Sequence, residues 1–328
     1  TGSWGFPVLD FANPELREYL LGNLEFWLRE FDVDGFRYDV SDAIPLDFWE
    51  TARERLVRLK PETVILGEGQ RPEDQLAAMH LNYNFSWSFA LHRLVNQDTP
   101  AHLLCSLWLT MEAERPAGTR FIRYIDNHDI AHDTSQGLER QPGQSDEHWA
   151  GIVKFHGLPA DGLRPDSRPD RLWGADAVDA LLTLCFAIDG MPFLYNGQEV
   201  ADTAPHSIYG RQPIDWSRGD SEAGRRRFAH CRRLCALRHR ERALAEGSLT
   251  WLDHDRPDEA LAFVRSAGDQ RLLALVNLKP RAIRVRLPAP WAPGAALRPL
   301  VEAGVTEDPR DPGVFVLAPF AYLVAASA

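Results

Sequence analysis

The hydrophobic period of this chain changes once, near Gly247, and that change constrains the fold more than any single motif. Before it, apolar residues recur alternately at helical spacing and in short extended runs. Beyond it come short strands separated by Pro/Gly turns, among them 261–265, 272–278, 283–287, 314–317 and 321–325. Helix alternating with strand leads to a parallel sheet with helical crossovers, whereas a series of short strands makes an all-β domain. We therefore divide the chain into an α/β part, residues 1–246, and a small β-sandwich, residues 247–328. With 328 residues, 45% of them hydrophobic, both parts can bury a core.

Within the first part, Asn13-Pro14-Glu15 supplies a helix cap, a proline suited to the first turn and an early acid. Leu16, Leu20, Leu24, Trp27 and Leu28 then recur at helical spacing up to a strand over 33–40. A second helix spans 42–60 with Phe48, Ala52 and Leu56 on one stripe, and the apolar run 63–67 reads as a parallel strand buried on both faces. Further strands are expected at 79–85, 119–126 and 191–195, and helices at 87–96, 103–114, 175–187 and 225–240. The last of these carries Phe228, Cys231, Leu234 and Leu237 on its apolar face. A Gly-, Pro-, Asp- and Gln-rich stretch over 132–170 is too long for an ordinary connection and is expected to be functional or partly ordered.

Thirty-six basic against 47 acidic residues leave a formal charge of −11, which disfavours nucleic acid and anionic membrane surfaces as partners. No apolar run is long enough for a membrane span, and no signal-peptide pattern opens the chain. Because it begins at Thr1, a preceding segment is expected and the compartment stays open. Cys105, Cys185, Cys231 and Cys235 are too scattered for a disulfide framework or a zinc site and are expected to be free and mostly buried.

Three strands end in carboxylates. On the first, Arg37 and Asp39 share one face and Phe36, Tyr38 and Val40 the other, so the charged pair is expected to face inward. Its bland reading is a core salt bridge. Glu68 follows Ile65-Leu66-Gly67, with a helix N-cap neighbour as its bland reading, and Asp129 follows Tyr124-Ile125-Asp126-Asn127-His128, where a solvated turn is the alternative. In a β/α barrel, strand C-termini surround one mouth, so acids far apart in sequence converge there. Clustered carboxylates repel, and one of them then keeps its proton near neutrality. A protonated acid beside an ionised nucleophile is equipment for cleaving a glycosidic bond. A metal-dependent hydrolase is the less favoured option, because no H-x-H or H-E-x-x-H motif occurs.

These residues resemble the signatures of the α-amylase family of retaining glycoside hydrolases. Gly35-Phe36-Arg37-Tyr38-Asp39 is similar to its nucleophile strand, Leu66-Gly67-Glu68 to its acid/base strand, and Tyr124 to Asp129 to its third signature. Gly190-Met191-Pro192-Phe193-Leu194-Tyr195-Asn196-Gly197-Gln198-Glu199 resembles the family's eighth strand. The resemblance implies a (β/α)8 TIM barrel followed by a β-sandwich, with strands four to eight present here and strands one to three missing. The family's first signature is absent accordingly, and Ile130 is apolar where a polar neighbour is expected.

For the site, the resemblance implies Asp39 as nucleophile, Arg37 holding it as a carboxylate, and Glu68 as general acid and then base. Asp129 would bind sugar hydroxyls, with His128 as a neighbouring contact. Glu68 has no cation beside it in sequence and is expected to keep its proton. The implied partner is an α-glucan or malto-oligosaccharide, with a structural calcium possible in the complete protein, and the chain by itself is expected to be inactive for want of the missing strands. Transglycosylase or isomerase chemistry on the same scaffold is an alternative, as is a non-catalytic carbohydrate-binding remnant, which has no need of three acids. Trp87, Trp149, Trp173, Trp216 and Tyr209 are candidate sugar-stacking aromatics in or near loops, although a core role is the commoner one for each.

Overall fold

The computed structural model describes residues 7–116, 120–130, 143, 145–147, 149–150, 168–204, 213–292 and 296–327. Most of the 132–170 stretch and Tyr209 lie outside them. The chain forms two compact units, one of Thr1–Phe85 with Thr110–Ile122 and one of Ser86–Leu109 with Arg123–Ala328. Among the described residues no helix is long and apolar enough to cross a membrane.

In the first unit the alternation read from the sequence takes the order α1 (Pro14–Phe31), β1 (Gly35–Tyr38), α2 (Leu46–Leu59), β2 (Val64–Gly67), α3 (Asp74–Ala77) and β3 (Leu81–Asn82). Helix α1 starts where the Asn13 side chain accepts the Glu15 N–H at 2.9 Å, with Pro14 at a position that needs no N–H. Pro45 separates α2 from a short 3-10 turn, Ser41–Ala43, so the expected single helix is two pieces. The strands pair in parallel in the order β1-β2-β3, and Phe121 forms a parallel bridge to Asn82. Leu21 and Leu28 of α1 and Phe48, Ala52 and Leu56 of α2 pack with Tyr38, Ile65 and Met79 in one core.

Two expectations need correcting here. Strand β2 is not buried on both faces: Ile65 is fully buried but Val64 remains 49% exposed, because only one face carries the helices. Trp27 does not join the apolar stripe of α1; it is exposed with Tyr19, Phe26 and Phe31, while Leu21 and Leu28 turn inward.

The second unit holds α4 (Phe85–Gln97), α5 (His102–Glu114) up to Leu109, α6 (Pro169–Trp173), α7 (Ala175–Ala187), α8 (Glu222–Arg240) and α9 (Arg242–Glu246). It also holds β6 (Ser248–Trp251), β7 (Ala260–Ala267), β8 (Gln270–Asn277), β9 (Ile283–Arg286), β10 (Leu297–Glu307) and β11 (Val314–Ser327), which make one antiparallel sheet ordered β10-β11-β8-β7-β6, with β9 on β11. Helix α7 is buried from Ala177 to Ala187, its apolar residues meeting other elements on most sides, while its buried Asp179 and Thr183 find polar partners in Arg227 and His230 of α8. Leu181, Leu184 and Cys185 share a core with Trp87 and Leu91 of α4, Leu234 of α8 and Phe263, Val276 and Val324 of the sheet. The buried Arg265 of β7 closes the end of this helix, donating to the Ala187 carbonyl at 2.9 Å.

The opposite face of the sheet carries a second core, in which Ala262 and Leu275 meet Val285, Phe315 and Leu317. The two stretches expected as separate strands, 314–317 and 321–325, are one strand, β11. It is interrupted at Pro319, which has no N–H to donate, and at Phe320, which takes φ 53°. Its first half pairs with β9 and its second with β8, so the sheet doubles back across the second core. On α8, Phe228 is exposed rather than part of the apolar face.

The strands expected at 79–85, 119–126 and 191–195 shrink to β3, β4 (Ile122–Arg123) and β5 (Met191–Pro192). Beyond the paired residues single bonds continue these runs: the Tyr83 N–H reaches the Gly67 carbonyl at 3.1 Å and the His80 N–H the Ile65 carbonyl at 2.9 Å beside β3, and the Phe193 N–H reaches the Arg123 carbonyl at 2.9 Å beside β5.

Gly35 decides how closely β1 and β2 pair. A Cβ on it would stand 1.9 Å from the Val64 carbonyl oxygen, and backbone cannot yield as a flexible side chain can. Gly35→Ala should therefore destabilise the first unit by about 3 kcal/mol, the upper range for overpacking, seen as a lower urea midpoint; an unchanged midpoint would contradict this packing.

Candidate active site

The parallel register sets Arg37 opposite Leu66 and Tyr38 opposite Gly67, so Asp39 and Glu68 leave the sheet side by side at the C-terminal ends of β1 and β2. Arg37 spans the two. Its Nη2 lies 2.6 Å from Glu68 Oε1 and its Nη1 bonds Asp39 Oδ1. The second oxygen of Glu68 accepts the Val40 N–H at 2.7 Å, while the Glu68 backbone is bracketed by bonds to Tyr38 O at 2.9 Å and from Ser41 N at 3.1 Å. Val40 takes φ 43° to present that N–H, a left-handed conformation that is costly for a β-branched residue and characteristic of functional turns.

The burial expected for the Arg37–Asp39 pair is corrected by this geometry. The Asp39 side chain is 76% exposed and that of Glu68 11%, because β1 ends at Tyr38 and the turn at Val40 carries Asp39 out of the strand. Glu68 has no cation beside it in sequence but meets one in space. It is ion-paired to Arg37, since neighbours across a parallel ladder are distant in sequence. Burial works against the charge of Arg37, but the hydrogen bond to Asp39 and the charge of Glu68 overcome it and raise its pKa.

Two supporting residues escaped the sequence. Tyr83, just past β3, lies with its ring 5.5 Å from the Arg37 guanidinium carbon, at cation–π distance. Arg71 braces the strand-end turns, bonding Asp74 at 2.9 Å and the carbonyls of Ser41 and Ile44 at 3.3 Å. Neither lies in a recognisable motif; only the pairing of β2 with β3 brings Tyr83 to the arginine.

In the second unit, the segment after β4 is fixed from several sides. His92 of α4 meets the Ile125 carbonyl at 2.8 Å. The Asn127 side chain accepts the N–H groups of Asp129 and Ile130 at 3.1 and 2.8 Å, closing a tight turn. That turn presents His128 and Asp129 half-exposed, with Nε2 and Oδ1 3.6 Å apart. Asp126 is fully buried, 3.6 Å from the buried Arg168. Burial pushes its carboxyl up to about 7, against the opposing charge of Arg168. Arg168 is a further residue without a sequence signal, at the edge of a stretch with no periodicity.

Arg37, Asp39 and Glu68 thus lie together in the first unit, and His128 and Asp129 together in the second. Of the candidate aromatics, Trp87 is in the core of α4 with Arg123 4.7 Å from its ring, and Trp173 bonds Asn96 at 2.7 Å beside His92. Trp149 is partly buried, and Trp216 is exposed. All four cysteines are free, two of them buried.

A family model described as "D-apionate lactonase, C-terminal immunoglobulin-like domain" matches residues 257–325, the doubled sheet. A cyclomaltodextrinase of Geobacillus thermopakistaniensis is 25% identical over 289 residues, covering 86% of this chain and 43% of that protein. An intracellular maltogenic amylase of Bacillus subtilis is 28% identical over 282 residues, covering 83% and 41%. The chain therefore spans about two-fifths of the length of the curated relatives it matches. The crystal structure of an α-amylase from Geobacillus thermoleovorans complexed with acarbose superposes with a TM-score of 0.72 at 19% identity, covering 100% of this chain and 67% of that one. That likeness speaks to fold, and the sequence matches to descent. Together they make the chain a homologue of the maltogenic amylases and cyclomaltodextrinases of the α-amylase family of glycoside hydrolases.

Proposed function

We propose that the complete protein is a retaining glycoside hydrolase that opens α-glucosidic bonds in malto-oligosaccharides through a covalent glycosyl-enzyme. The observation that carries this reading is the single guanidinium of Arg37 ion-paired to both Asp39 and Glu68 at the ends of two paired parallel strands. A guanidinium reaching two carboxylates suits the roughly 5 Å spacing of retaining enzymes better than the wider gap that admits a water in inverting ones. The names of the matched relatives, a cyclomaltodextrinase and a maltogenic amylase, support the substrate class, as does acarbose in the structural neighbour. In order along the chain, β1 to β5 are read as the last five strands of the family's (β/α)8 barrel.

In this reading Asp39 attacks the anomeric carbon while Glu68 gives its proton to the leaving oxygen. One cation faces two carboxyl groups, so the set as a whole can carry the proton this step needs. Forming the glycosyl ester removes the charge of Asp39. Arg37 is then left with Glu68 alone and favours it as a carboxylate, the form that takes a proton from the attacking water. The exposure of Asp39 and the anchoring of Glu68 by the Val40 N–H fit a nucleophile that meets substrate and an acid held in one orientation. Asp129 and His128 are assigned the hydroxyl contacts that strengthen as the sugar ring flattens.

In the complete protein, Asp39→Asn should lower turnover of an aryl α-maltoside by about three orders of magnitude or more while acarbose binding persists; retained turnover would identify another nucleophile. Glu68→Gln should suppress maltotriose hydrolysis by a comparable factor yet largely spare release of fluoride from α-maltosyl fluoride, whose leaving group needs no proton. Equal losses on both substrates would remove Glu68 from the acid role. Product profiles on maltotriose, trehalose and sucrose name the linkage and separate hydrolysis from transfer.

A further inference from the structure

Of the two carboxylates in the Tyr124–Asp129 segment, Asp129 is half-exposed and Asp126 is not. It is fully buried, and neither of its carboxylate oxygens has a hydrogen-bond partner among the described residues. Its ion-pair partner is Arg168, 1% exposed, 3.6 Å away. A buried charge facing a buried charge at that distance, without a bond to hold it, is expensive unless it serves a purpose.

Arg168 is held independently of Asp126. Its Nε donates to the Asp202 carbonyl at 3.2 Å, its guanidinium lies 5.4 Å from the centre of the Tyr195 ring, and two residues on, Asp170 is clamped by both terminal nitrogens of Arg227 at 2.9 and 2.8 Å. Arg227 is in turn tied to Asp179 of α7 at 2.6 Å. The cation therefore belongs to the helical frame, whereas Asp126 lies three residues beyond the two-residue strand β4. Attraction between them draws this segment towards the frame.

Resting on the glucan-cleaving reading above, we propose that Asp126 and Arg168 are a positioning pair: their attraction holds the Asn127–Asp129 turn in its sugar-binding arrangement, and a proton on Asp126 releases it. The charged and titratable groups facing Asp126 among the described residues are Arg168 and Asp170 at the start of α6 and Tyr195 beyond β5. Burial pushes Asp126 up to about 7, and Asp170 adds to the rise, while the charge of Arg168 opposes it. Ionised Asp126 pulls on a fixed cation and protonated Asp126 does not, so sugar affinity should fall as pH drops through about 7. The folded-state pKa is raised, so the unfolded chain loses this proton at lower pH. Folding stability should therefore fall as pH rises from about 4 to about 7.

The test is calorimetric titration of the complete protein with acarbose from about pH 5 to about pH 9, spanning the expected transition, beside urea unfolding over the same range. The unsubstituted protein should show a step in affinity near 7. Asp126→Asn, which keeps the shape and lacks the charge, should bind roughly tenfold more weakly at high pH and show no step. Arg168→Met should move the step upward, because the cation that favours the carboxylate is gone; Arg168→Lys should leave it near its original place. The same affinity profile in all these variants overturns the positioning role. So does a loss of stability in urea with the profile unchanged, which is what a merely structural pair would give. Absence of acarbose binding by the unsubstituted protein at every pH overturns the α-glucan reading itself and this proposal with it.

Discussion

One guanidinium shared by two carboxylates is the interaction on which the candidate site depends. Arg37 can reach both Asp39 and Glu68 only because β1 and β2 run in parallel with Tyr38 opposite Gly67, and that register requires Gly35, whose missing Cβ lets the strands approach. The turn at Val40 completes the arrangement. Its left-handed conformation turns an N–H onto Glu68 and carries Asp39 outward, so the strain of one β-branched residue separates an anchored carboxyl from an exposed one.

The second unit obtains its rigidity differently. Helix α7 is buried along its length and enclosed by α4, α8 and the C-terminal sheet, so the sheet shares a core with helices on one face and folds over a core of its own on the other. Around this apolar centre runs a buried ionic chain, Asp179–Arg227–Asp170, with Arg168 two residues further on. A chain of paired charges costs desolvation at each member. In return it fixes the position of groups on segments that have little regular structure, here Arg168 facing Asp126.

The longer helices and much of the strand order, though not α3, α6, α9, β6 or β10, were legible in the sequence, down to the bounds of α7, because burial of one face imposes a period on any chain. The extents of the short strands were not, since a strand exists only where a partner supplies a ladder, and β3, β4 and β5 find one for two residues each. Likewise the motif around Glu68 marked the residue without marking its cation. Tyr83, Arg71 and Arg168 left no trace, because each acts across a contact between segments far apart in the chain.

The sequence by itself determined that Asp39 and Glu68 follow strands, that the chain changes from α/β to all-β near Gly247, and which family its motifs resemble. These follow from local pattern, which each segment carries independently of the others. Only the tertiary structure decided that Arg37 serves Glu68 as well as Asp39, that Asp39 is exposed, that the C-terminal sheet shares its core with the helices, and that Asp126 is buried against Arg168. Those facts rest on register and burial, and both are fixed by which surfaces pack together, a property no single stretch of sequence possesses.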